Sequence, residues 1–109
     1  MKEKGKTNFD ILHEKLPDIM KAFTQLRKEA TKEGVLSATT KELMVLAVSV
    51  ALRCESCIRN HTRKAIEMGI SREEIQEAVG IAILMAGGPA LAAAAIALEE
   101  LEEGEETSE

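Results

Sequence analysis

The chain has no tryptophan, no tyrosine and only two phenylalanines, so aromatics make up 2% of it. That leaves no platform of rings on which single-stranded bases could stack, and no nucleic-acid partner is expected. Basic residues stop at Arg72: residues 77–109 carry eight carboxylates and no lysine or arginine. The net charge of -5 is therefore a C-terminal property, and residues from about 103 to 109 read as a solvated acidic tail. A long unbroken hydrophobic run is missing too. Residues 78–98 are 21 uncharged residues, the length of a membrane span, but only Val79, Ile81, Ile83, Leu84, Met85, Leu91, Ile96 and Leu98 are strongly apolar. Gly87-Gly88-Pro89 interrupts them at the centre, so two helices joined by a turn are expected and no membrane association. The basic start MKEKGK leads into Thr7-Asn8-Phe9-Asp10, not into an apolar stretch, which predicts a cytoplasmic protein.

What is present is a 109-residue chain, 45% hydrophobic and 30% charged, the composition of a globular domain. We expect a single domain over residues 1–109, with an arm over about residues 1–8. No stretch alternates with period two, whereas apolar residues recur at three- and four-residue steps throughout, so the fold class is all-α, a bundle of five to six helices. Leu12, Leu16, Ile19, Phe23, Leu26 and Ala30 form one stripe that Pro17 divides between a short helix and a longer one. The longer helix should end at Gly34 in the left-handed conformation. Thr39-Thr40-Lys41-Glu42 has capping-box spacing and should open the next helix, through Leu43, Leu46 and Val50. A helix over about residues 55–68 should end at Gly69, and Ser71-Arg72-Glu73-Glu74 opens another that reaches Gly87. Pro89 suits the first position of a last helix whose many alanines can stabilise the fold only by close approach to a neighbouring helix, within the chain or between subunits.

Both cysteines lie in Cys54-Glu55-Ser56-Cys57, with His61 four residues after the second. In a helix beginning near Cys54 these three side chains share one face. A CxxC pair inside a cell is more often redox-active or metal-binding than a static crosslink. The helix N-terminus favours a thiolate, and Arg53, Arg59, Arg63 and Lys64 add four positive charges against Glu55 alone. His61 is placed to take a proton from Cys57 and return it. If the helices on either side of residue 53 fold back on each other, His61 lies opposite about residue 45, and Glu42 is then about 5 Å further along. Glu42 has two readings at this point: a carboxylate that orients His61, or the capping-box partner of Thr39.

Glu42, Cys54, Cys57 and His61 match at every spacing a motif of the carboxymuconolactone decarboxylase superfamily, and the chain resembles its alkylhydroperoxidase D-like (AhpD-like) branch. The likeness runs from about Leu16 to Met85-Ala86-Gly87-Gly88-Pro89-Ala90. The resemblance implies an oligomeric, cofactor-independent thiol enzyme, a trimer or hexamer, that reduces hydroperoxides or small disulfides. A dithiol or thioredoxin-like donor would recycle it. By the same resemblance Cys57 is the peroxide-attacking thiolate and Cys54 the resolving thiol. Relatives place a histidine just before the second cysteine; Ser56 stands there in this chain.

Three other functions compete. Cys54, Cys57 and His61 supply three zinc ligands, but a fourth would have to come from His13, Glu42 or another subunit, and structural zinc sites usually draw on two separated pairs, so no metal is expected. Lactone decarboxylase chemistry belongs to a branch that generally lacks the cysteine pair. A non-catalytic oligomeric module would use the alanine-rich helix and acidic tail as interaction surfaces.

Overall fold

The computed structural model describes residues 8–107, with side chains through residue 104. Residues 1–7 of the expected N-terminal arm and residues 108–109 of the acidic tail lie outside the described residues. Six helices make up the rest: α1 (Asn8–Lys15), α2 (Pro17–Thr31), α3 (Ala38–Ala51), α4 (Glu55–Glu67), α5 (Arg72–Ala86) and α6 (Ala90–Thr107). Among the described residues there is no strand, and the fold is all-α.

The chain divides into two compact units between Lys32 and Glu33. In the first, Pro17 occupies the start of α2, where a missing amide hydrogen costs nothing, and Leu16 leaves helical geometry at φ -131° to separate α1 from α2. Neither helix buries a residue, and the expected stripe of Leu12, Leu16, Ile19, Phe23 and Leu26 is exposed. α2 ends earlier than expected: the backbone becomes extended at Lys32 (ψ 152°), and Gly34 is not among the glycines with positive φ. The Thr31 hydroxyl meanwhile donates to the Arg27 carbonyl at 2.7 Å.

The second unit holds the core. Leu46 and Val50 of α3, Ile58 and Ala65 of α4, Ile75, Val79 and Ala82 of α5, and Ala93, Ala94, Ala97 and Leu101 of α6 are all buried in one cluster. α3 packs against α4 and α5, and α6 against both of those. The alanines of α6 permit close approach, and nearer its C-terminal end Gly104 continues this: a methyl group there would sit 2.5 Å from Ile66 Cδ1. α5 opens as expected, with Ser71 Oγ accepting from the Glu74 amide at 3.1 Å, and ends at Gly87 (φ 70°). α6 begins at Ala90, so Pro89 stands one residue before the helix; the Ala90 amide bonds back to the Gly87 carbonyl at 3.0 Å and makes the turn that places it there. α6 remains helical to Thr107, well into the segment read as a tail.

Candidate functional site

Three residues turn the chain from α3 into α4. The Arg53 amide donates to the Val50 carbonyl at 3.0 Å and the Cys54 amide to the Ser49 carbonyl at 3.2 Å, the paired bonds of a Schellman motif. The motif needs a left-handed residue, usually glycine, and Arg53 takes that conformation at φ 57°, the only non-glycine residue described with positive φ. A side chain there costs about 1–2 kcal/mol. The reversal near residue 53 is the one the sequence suggested, and it sets α4 back against α3.

Cys54 is the N-cap of α4 and its side chain caps no backbone amide. Its carbonyl accepts the first helical bond, from Ile58 at 2.9 Å. Cys57 sits within the first turn, and the structure joins the two cysteines as a disulfide with their Cα atoms 5.3 Å apart. Both side chains are half-buried and line a cavity of about 310 Å³ whose other walls are Met44, Val45, Val48, Ser49 and Leu52 from α3 and its C-cap. The Ser56 hydroxyl lies 3.7 Å from Cys54 Sγ, within hydrogen-bonding range of sulfur.

His61 follows one turn after Cys57, and its Nδ1 is 2.6 Å from Glu42 Oε2. Glu42 is 1% exposed, so its charge is removed from water and its place is set by this bond. A neutral imidazole that donates through Nδ1 keeps Nε2 as the proton acceptor. Glu42 therefore does not cap α3. The cap is Ser37, whose Oγ accepts from the Thr40 amide at 3.1 Å and donates to Thr40 Oγ1 at 2.9 Å; the helix starts at Ala38, and Glu42 faces inward. The structure thus pairs Glu42 with His61 and Cys54 with Cys57, and α4 carries His61 one turn beyond Cys57.

The expected cluster of free positive charge is not what the fold builds. Arg59 lies about 200° around α4 from Cys57, on the side that meets α6. There Glu100, 4% exposed, receives Arg63 Nε at 2.8 Å and Arg59 Nη1 at 3.2 Å, while Arg59 also reaches Glu99 at 3.0 Å and Glu55 at 3.2 Å. The Arg63 hydrogen bond, opposed by burial and helped by Arg59, holds the Glu100 carboxyl below the usual carboxylate range. Two of the four cations are therefore neutralised on the face away from the thiols, and the helix N-terminus carries more of any thiolate stabilisation. Sequence reasoning missed Glu100; the visible signal was that Arg59 and Arg63, four residues apart, share a face distinct from that of the thiols. Among the described residues no three metal-ligating side chains cluster as a metal site, and no helix is long and apolar enough to cross a membrane.

Comparison with known proteins gives a consistent result. The sequence model of the carboxymuconolactone decarboxylase family matches residues 17–100. An uncharacterized protein of Cupriavidus necator is 38% identical over 81 residues, which are 74% of this chain and 72% of that one. An alkyl hydroperoxide reductase AhpD of Anaeromyxobacter is 36% identical over 75 residues, 69% of this chain but 37% of its own length. Among solved structures, a carboxymuconolactone decarboxylase family protein of Legionella pneumophila superposes with TM-score 0.84 at 40% identity, over 88% of this chain and 86% of that one. A Thermotoga maritima protein of the same family gives TM-score 0.84 at 34% identity, over 92% and 86%. With its helical fold and its Glu42, Cys54, Cys57 and His61 constellation, the chain belongs to the carboxymuconolactone decarboxylase family, in its AhpD-like branch.

Proposed function

We propose that the chain is a thiol–disulfide oxidoreductase that reduces hydroperoxides, with Cys57 as nucleophile, Cys54 as resolving thiol, His61 as proton carrier and Glu42 as the residue that orients it. The observation that carries this reading is the 2.6 Å bond from buried Glu42 to His61, one turn from a cysteine pair that opens a helix beside an apolar cavity. A capping glutamate or a structural disulfide would need neither the histidine nor the cavity.

In the reduced protein, His61 Nε2 takes the Cys57 proton. The thiolate attacks the terminal peroxide oxygen, the O–O bond breaks, and the leaving alkoxide takes the proton from His61. Cys57 is now a sulfenic acid. Cys54 attacks its sulfur, water leaves, and the Cys54–Cys57 disulfide closes. Overall one hydroperoxide and two thiols give one alcohol, one water and one disulfide, and a dithiol donor returns the electrons. The carboxylate of Glu42 keeps Nδ1 protonated and stabilises the imidazolium that exists between the two transfers.

The test is intact mass and thiol count on reduced, metal-free protein before and after a small excess of organic hydroperoxide. Both thiols should disappear within seconds with a loss of about 2 Da, and Cys57→Ser should abolish peroxide turnover. Thiols that react no faster than free cysteine would overturn the reading. Hydroperoxide turnover retained in Cys57→Ser would reverse the roles of the cysteines.

A further inference from the structure

Ser56 stands between the two cysteines, and its hydroxyl is 3.7 Å from Cys54 Sγ. Cys54 is the helix N-cap and makes no side-chain bond to a backbone amide, so that hydroxyl is the donor its sulfur has in this structure. On the proposed redox reading, the disulfide must be reopened in each cycle, and one of its two sulfurs must leave as a thiolate. We propose that Ser56 is a catalytic residue of this second half-reaction: it donates a hydrogen bond to the thiolate that develops on Cys54, so that the electron-donating dithiol attacks Cys57 and Cys54 is the leaving group.

The argument is one of differential stabilisation. A disulfide sulfur is a weak acceptor and a thiolate a strong one, so a hydroxyl already in place strengthens its bond as charge builds on Cys54. The dipole of α4 acts on the same atom, since Cys54 occupies the N-cap. In thiol–disulfide exchange the sulfur of lower thiol pKa leaves faster. Cys57 stands one turn before His61, which can take up and return its proton, a setting that suits a sulfur that is attacked and later reprotonated.

The electrons and protons close. A donor thiolate attacks Cys57 Sγ and forms a mixed disulfide; the Cys54–Cys57 bond breaks, and Cys54 leaves as a thiolate held by Ser56. The second donor thiol gives its proton to His61 Nε2 and attacks the donor sulfur of the mixed disulfide; the Cys57 thiolate released takes that proton back from His61, and the proton of the first donor thiol has gone to solvent. The donor leaves as its disulfide, two electrons poorer, and the protein is reduced by two.

The experiment measures reduction of the oxidised protein by dithiothreitol under pseudo-first-order conditions, in wild type, Ser56→Ala and Ser56→Thr. The alanine variant should be slower by about five- to tenfold, the value of one hydrogen bond to a charged acceptor, and threonine should restore most of the rate. In a Cys57→Ser background the Cys54 thiol, followed by the pH dependence of alkylation, should titrate higher when Ser56 is alanine. Glutathione, a monothiol, should form its mixed disulfide on Cys57, preserved for mass spectrometry by rapid alkylation of the freed Cys54 thiol. Equal reduction rates in wild type and Ser56→Ala, or a mixed disulfide found on Cys54, would overturn the role of Ser56. The two readings fail separately: loss of the peroxide half-reaction in wild type sinks the proposed function, whereas Ser56 is tested in reduction alone.

Discussion

Glu42 occupies a position that a carboxylate rarely takes without a purpose. At 1% exposure its charge is stripped of water, and the bond from His61 Nδ1 is what compensates it. Glu42→Gln keeps an acceptor oxygen of the same shape, so the ring should hold its orientation while the imidazolium loses its counter-charge. We expect the rate of hydroperoxide reduction to fall on the order of 10²-fold with a small change in melting temperature. A variant as active as wild type would remove Glu42 from the machinery, and one that fails to fold would make it a structural residue. The residue was half legible in the sequence. The spacing to His61 and a turn at residue 53 put the two side by side, but Ser37, Thr39 and Thr40 are all competent caps, and only the backbone shows that Ser37 takes the role. A cap two residues earlier turns the fourth residue of the supposed capping box into the core.

At the scale of elements, α4 works with two faces. One carries Cys57 and His61 toward α3; the other carries Arg59 and Arg63 toward Glu100 of α6. Periodicity revealed that α4 and α6 exist and nearly where they end. It could not pair residues 37 and 41 apart in sequence, because that pairing follows from which helices pack together. The clamp has a pH signature. Arg63 and Arg59 lower the Glu100 carboxyl pKa in the folded protein, so its ionisation favours folding above the unfolded-state value, near 4, and this stabilisation is lost as pH falls through the lower folded value. Glu100→Gln should therefore lower the melting temperature at pH 7 on the order of 5 °C, and the difference from wild type should narrow steadily as pH falls below about 4. Calorimetry across pH 3–7 checks this. A gap that stays constant across that range would show that packing, not charge, gives Glu100 its worth.

At the scale of the whole molecule, the distribution of apolar surface argues for assembly. Sequence pattern correctly identified the stripe along α1 and α2 as the apolar face of two helices, yet it cannot say what covers such a face. Within one chain Ile19, Phe23 and Leu26 are 54–62% exposed, and so are Met44, Val48 and Leu52 beside the cysteines, at 52–73%. Ile81, Leu84 and Met85 of α5 add a further group at 58–76%. Scattered exposed leucines are ordinary, but several large apolar side chains left exposed on each of these helices are the kind of surface that a second copy can bury. α1 and α2 have no buried residue of their own to hold them, and a unit of their size seldom folds without support. We therefore propose that the chain forms a homo-oligomer, to be seen by light scattering at micromolar concentration. Phe23→Asp should shift it toward smaller species, since burying a carboxylate in an apolar contact is costly. Because Met44, Val48 and Leu52 wall the cavity at the disulfide, assembly that covers this face would also narrow access to Cys57. A wild-type protein that scatters as a monomer would overturn the expectation and leave the α3 face open to substrate from bulk solvent.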